Sequence, residues 1–176
     1  MNKKTKELVL AAILTALSIL ITYSPVKLVL PFFTLTIGAH VPTLIAMFIS
    51  PWVLIMTVIG SCLGFFMTIP APNSIIVVTR AATHILFALA GYGLIKKDKL
   101  PLFLIILLTA VIHAVSEGLA VYILTPLILQ SETAAGTAGV IALSGTFVHH
   151  LLDSVICIPI LIALKKAKVI KINRNF

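Results

Sequence analysis

Long apolar runs dominate this chain. Leu100 to Ile112 and Val155 to Leu164 carry no charged residue, and Ile75 to Val78 opens another such stretch. The apolar residues are continuous rather than spaced at the 3.6-residue period of a half-wetted helix, and several stretches approach the ~20 residues that cross a bilayer. Across the 176 residues, 60% are apolar and 10% charged. A soluble domain carries roughly 25% charged residues, so water is the wrong solvent for most of this surface. Hydrocarbon offers no partner to backbone groups, which leaves helices or a closed barrel. The runs lack the alternation of barrel strands, and the expectation is an all-α, polytopic membrane protein.

A net charge of +8 would suit nucleic acid, but the cations are placed otherwise. They gather at Lys3, Lys4 and Lys6, at Lys96, Lys97 and Lys99, and at Lys165, Lys166, Lys168, Lys171 and Arg174. Each group abuts the end of an apolar run, as the positive-inside rule produces by itself, so no nucleic acid is expected as a partner. Cys62 and Cys157 lie inside apolar runs without CxxC spacing and read as inert buried thiols. The first apolar run is long and shows no small-x-small cleavage site, so no cleaved signal peptide is expected.

Hydropathy, prolines and glycines predict helices over about 7–23, 38–50, 52–68, 75–95, 100–124 and 140–167. Pro25, Pro31 and the stretch 33–36 form a non-helical linker, Ile69 to Ser74 a proline-rich break, and Thr125 to Gly139 a flexible polar loop containing Pro126, Ser131 and Glu132. The second helix, about 20 Å long, is short for a crossing. Six crossings from a cytoplasmic start put all three basic groups inside and leave only Lys27 and Glu132 in the outer loops. The expected architecture is a six-transmembrane-helix bundle with both termini cytoplasmic and a single domain over 1–176.

Ionisable side chains at membrane depth are expensive and point to function. Arg80 and His84, His113 and Glu117, and His149 and Asp153 are each spaced i, i+4, which stacks each pair on one helix face; His150 adjoins the third. At ~1.5 Å rise per residue these groups lie roughly 8 to 20 Å below the outer helix ends, in one layer. One reading is a polar pocket open to the outside, with Arg80 and the histidines facing an anionic or hydrogen-bonding ligand and Glu117 and Asp153 fixing imidazole tautomers. The other is an interhelical network that only holds the bundle together. Four histidines with two carboxylates could ligate zinc, nickel or cobalt, but no tight local ligand motif is present and no metal is expected. Trp52 reads as an interfacial anchor, Phe32, Phe33, Phe65 and Phe66 as lipid-facing or ligand-stacking, and Lys27 as a solvated loop residue. On helix 1, Ala12 and Ala16 form a small-xxx-small pair.

Particular stretches carry a family resemblance: Ala12-Ile-Leu-Thr-Ala16, Thr34-Leu-Thr-Ile-Gly-Ala-His-Val-Pro42, Met47-Phe-Ile-Ser-Pro-Trp-Val53 and Val58-Ile-Gly-Ser-Cys-Leu-Gly64. With the length and the six expected crossings, the chain resembles the substrate-binding S components of energy-coupling-factor (ECF) vitamin transporters, most closely the niacin type. The resemblance implies a multi-pass protein of a bacterial plasma membrane that binds a vitamin from outside. Its partners would be a membrane coupling (T) subunit and two ABC-type ATPase subunits. It implies a docking face at Ala12 and Ala16 and a vitamin pocket involving Asn73, Arg80, His84, Glu117 and His149, with His113, His150 and Asp153 behind them. No GxxxxGK[ST] loop is present, so ATP would be used by the partner ATPases and no cofactor or enzyme activity is expected of this chain. The histidine-led N-terminus of metal-type S components is also missing. Arg80 and the histidines would suit nicotinate, and equally pantothenate, pyridoxine or an aromatic amino acid. A rival of another class is an intramembrane metal-dependent hydrolase using Glu117, His113 and His149, which lacks here the paired-glutamate EExxxR motif. Another rival is an accessory subunit with no ligand.

Overall fold

The computed structural model describes residues 2–30, 33–130 and 132–170 and is almost entirely helical. Pro31, Phe32, Ser131, Lys171 and Arg174 lie outside the described residues.

Helix α1 (Lys3–Thr22) begins about four residues before the expected start because the Asn2 side chain accepts a hydrogen bond from the Thr5 amide at 2.8 Å. Lys27, exposed as expected, also donates from Nζ to the Thr22 carbonyl at 3.1 Å, satisfying a carbonyl at the helix end. The linker is an antiparallel hairpin of β1 (Lys27–Leu30) and β2 (Phe33–Thr36), with Lys27 opposite Thr36 and Leu30 opposite Phe33. The second expected helix shrinks to the six-residue α2 (Val41–Ala46), buried along its whole length, followed by a turn at 47–49. Irregular backbone survives at membrane depth when protein rather than lipid surrounds it, which is the setting here. Helix α3 (Pro51–Thr68) starts on a Ser50 cap with Pro51 in its first turn. Helices α4 (Asn73–Lys97), α5 (Leu102–Leu129) and α6 (Glu132–Lys166) complete the chain.

The polar loop expected over 125–139 is helical on both sides of Gln130. Loss of hydrophobicity at the bilayer edge does not end a helix when a neighbour still packs on it. Ala135, Ala138, Gly139 and Ala142 form a small buried face on α6, and Gly139 meets Tyr122 and Gly118 of α5. Among the described residues, five helices (α1, α3, α4, α5, α6) are long and apolar enough to span a membrane.

Glycine contacts give the helix directions. Gly60 approaches Thr15 and Gly64 approaches Ile19 and Thr22, while Ser50 Oγ donates to Glu7 at 3.2 Å, so α1 and α3 run parallel. The chain from Ile37 to Ser50 therefore returns through the bundle between them. Lys6 Nζ reaches the Lys168 carbonyl at 3.4 Å, which brings the start of α1 and the end of α6 to the same end. One apolar cluster (Leu44, Leu54, Phe87, Leu161) fills that half and another (Phe33, Ile76, Val121, Ala142) the opposite half. Between them lies a layer of buried polar groups.

Candidate functional site

The polar layer exists because α4, α5 and α6 each turn one polar stripe inward. Arg80, His84 and Phe87 occupy one face of α4, His113 and Glu117 one face of α5, and Thr146, His149, His150 and Asp153 the inner side of α6; all are buried. Antiparallel packing brings the stripes to the same depth.

Glu117 is the hub. Its Oε2 accepts from Arg80 Nε at 2.9 Å and Nη2 at 2.7 Å, and from the Thr146 hydroxyl. Its Oε1 faces His84 Nε2 at 3.0 Å and His113 Nε2 at 3.2 Å. Arg80 also lies over the Phe33 ring, 4.8 Å from its centre. Asp153 forms a second hub. It accepts from the amides of Gly38 and His40 at 2.8 and 2.9 Å, from His40 Nδ1 at 2.9 Å, and pairs with His149 Nε2 at 3.2 Å. His149 Nε2 also lies 3.1 Å from the Thr36 carbonyl, so α6 holds the end of β2 in place. His150, one residue on and about 100° round the helix, faces α5 instead, with Nδ1 3.0 Å from His113 Nδ1 and Nε2 3.2 Å from Thr109 Oγ1.

A narrow cleft of about 20 Å³ opens on this network, lined by Thr34, Thr36, His40, Phe65, Arg80, His84, Glu117 and His149 among others. Four expected pocket residues, Arg80, His84, Glu117 and His149, therefore share one cavity wall. The fifth, Asn73, is exposed in the first turn of α4 and is not among the lining residues. His113, His150 and Asp153 stand behind that wall, fully buried. Phe65 faces the cleft, whereas Phe66 is 66% exposed on the outside of the bundle. Ala12 and Ala16 lie apart, in a groove of about 290 Å³ between α1 and α3 with Leu8, Ala11, Thr15, Ile19, Trp52 and Met56.

One central residue escaped the sequence reading. His40, at the start of α2, has its ring centre 4.7 Å from that of His84, 4.6 Å from His113 and 4.4 Å from His149. It has no i, i+4 polar partner, so helical spacing could not find it. The available signal was composition: a fifth histidine inside an apolar segment, immediately before a Val-Pro helix start, costs enough to need a reason.

Chemically, the cleft offers a guanidinium with its Nη1 least engaged, imidazoles able to donate or accept, backbone carbonyls of β2 and an aromatic face. That set suits a small planar anion with a ring nitrogen. It suits a hydrolytic base poorly, since both Glu117 oxygens are already bonded.

No family model matches the sequence, and no solved structure matches it. The chain is 36% identical over 126 residues to the niacin transporter NiaX of Lactococcus lactis subsp. cremoris. The match covers 68% of this chain and 55% of that protein, so it spans little more than half of the relative's length. The chain is a multi-pass membrane protein homologous to a niacin transporter.

Proposed function

We propose that this protein is the substrate-binding S component of an ECF-type importer and captures niacin from outside the cell. The observation that carries this reading is the cleft, in which Arg80, His84 and His149 converge beside the Phe65 ring. Nicotinate has a carboxylate for the guanidinium, a pyridine nitrogen for an imidazole or hydroxyl donor, and a flat ring for the aromatic wall. Homology to a niacin transporter supports the same ligand. Pantothenate, pyridoxine and aromatic amino acids present some of these groups; only a pyridine carboxylate presents all of them in so short a body.

The reading includes six crossings with cytoplasmic termini. Parallel α1 and α3 support it, because the segment 37–50 must then recross between them, and the basic groups at one end support the orientation. The cleft then faces outward. The chain itself has no phosphate-binding loop; a coupling subunit bearing two ATPases would seat on the α1–α3 groove at Ala12 and Ala16.

Purified protein, without any ATPase, is expected to bind one nicotinate per chain at nanomolar to low micromolar Kd. Mass spectrometry of the small molecule released on denaturation is the decisive measurement. The reading fails if nothing is released and neither nicotinate nor nicotinamide, pantothenate, pyridoxine, folate or thiamine raises the melting temperature.

A further inference from the structure

We propose that His40, His84, His113 and Glu117 form a binding site for one divalent transition-metal ion of the zinc class, in the wall of the cleft. One donor atom from each of these four residues lies within 4.8 Å of all the others, and every one of the residues is buried. Tetrahedral zinc with ligands at ~2.0 Å sets its donors about 3.3 Å apart. The Glu117 Oε1 separations of 3.0 Å to His84 and 3.2 Å to His113 already match that spacing. The remaining separations, none above 4.8 Å, close to this spacing by shortening at most about 1.5 Å.

The surroundings orient these rings as metal ligands. His40 Nδ1 donates to Asp153 Oδ2 at 2.9 Å, which leaves the lone pair on Nε2; a carboxylate behind an imidazole is the usual support of a metal-bound histidine. For His113, a lone pair at Nε2 puts the proton on Nδ1, facing His150 Nδ1 at 3.0 Å. His150 then carries its proton on Nε2, donates to Thr109 Oγ1 at 3.2 Å, and leaves that hydroxyl free to donate to the Ile105 carbonyl at 2.8 Å. Every hydrogen in this chain has an acceptor. Without a metal the chain runs the other way, with His113 Nε2 donating to Glu117, His150 Nδ1 to His113 and the Thr109 hydroxyl to His150. His84 is 2% exposed and lines the cleft; with Nε2 as its metal-facing nitrogen the proton lies on Nδ1, which has no hydrogen-bond partner among the described residues.

Three imidazoles and one carboxylate are borderline donors, appropriate to zinc, cobalt or nickel rather than magnesium or calcium. The site stands whatever the cleft carries, and its test needs no vitamin.

Full-length protein in detergent, freed of any affinity tag and stripped with chelator, is dialysed against zinc and passed over a sizing column. Mass-spectrometric metal analysis should find about one zinc per chain, and cobalt in its place should show the strong visible absorption of a four-coordinate site. Asp153→Asn, which keeps shape but weakens the support of His40, should lower zinc affinity about 10- to 100-fold. The pair His84→Gln and His113→Gln should abolish stoichiometric binding while the protein still elutes as a single species. Wild-type protein that emerges metal-free overturns the proposal. Stoichiometric zinc that survives loss of both imidazoles overturns it equally.

Discussion

Arg80 is stable at its depth only through its partner. It is 6% exposed, Glu117 is 3% exposed, and two hydrogen bonds at 2.7 and 2.9 Å, both into Oε2, compensate two charges withdrawn from water. Removing one partner strands the other, at about 3 to 5 kcal/mol, whereas removing both charges together can be nearly neutral. Arg80→Met alone is therefore expected to lower the melting temperature sharply. Combined with Glu117→Gln, which still offers an oxygen to His84 and His113, much of that loss should return. Both variants should lose nicotinate binding. Thermal unfolding of the single and double variants measures the coupling, and penalties that simply add would show that the pair does not act as a unit. The same contact fixes Nε and Nη2 on Glu117, while Nη1 lies 3.5 Å from the Thr34 carbonyl.

At the scale of elements, the helices α1 and α3 meet through glycines. A Cβ at Gly60 would lie 2.8 Å from both the Thr15 side chain and its carbonyl oxygen, and one at Gly64 would lie 2.8 Å from the Thr22 side chain. Four residues apart, the two form the close-approach interface of the bundle. Gly60→Leu should destabilise by about 1 to 3 kcal/mol, because backbone on α1 cannot yield as a side-chain tip can. Gly93→Leu should cost little, since a Cβ there meets nothing within 4 Å. Unfolding of both variants in detergent is the check, and equal losses would contradict this packing. Element boundaries divide cleanly into what the sequence reveals and what it hides. Helices α3 and α4 were legible because prolines and caps bracket them, and the three i, i+4 polar pairs were legible because helical spacing alone brings them together. The β1–β2 hairpin, the reduced α2 and the helical stretch across 125–139 were not, because each depends on what packs against it. His40 was hidden for the same reason: its position comes from Asp153, 113 residues away, capturing the Gly38 and His40 amides.

For the whole molecule, the two surfaces with expected roles share no residue. The cleft belongs to β2, the ends of α3 and α4, and the middle of α5 and α6, while the groove belongs to α1 and the first turns of α3. Ala12 and Ala16 are exposed there, four residues apart, and the bundle makes no use of their smallness; Gly60 and Gly64 perform that service inside. A groove floored by alanines and walled by Leu8, Trp52 and Met56 fits the back of another helix at close range. Bulk added at its floor should therefore leave the fold and the cleft untouched and exclude only a partner. Ala12→Trp with Ala16→Trp is expected to bind nicotinate with wild-type affinity in detergent, yet fail to support nicotinate uptake in cells that supply the coupling subunit and ATPases. Calorimetry on the purified variant, paired with uptake of labelled nicotinate, separates the possibilities. Binding lost along with uptake would mean that the groove and the cleft are mechanically one site. Uptake retained would mean that the coupling subunit seats elsewhere on the bundle.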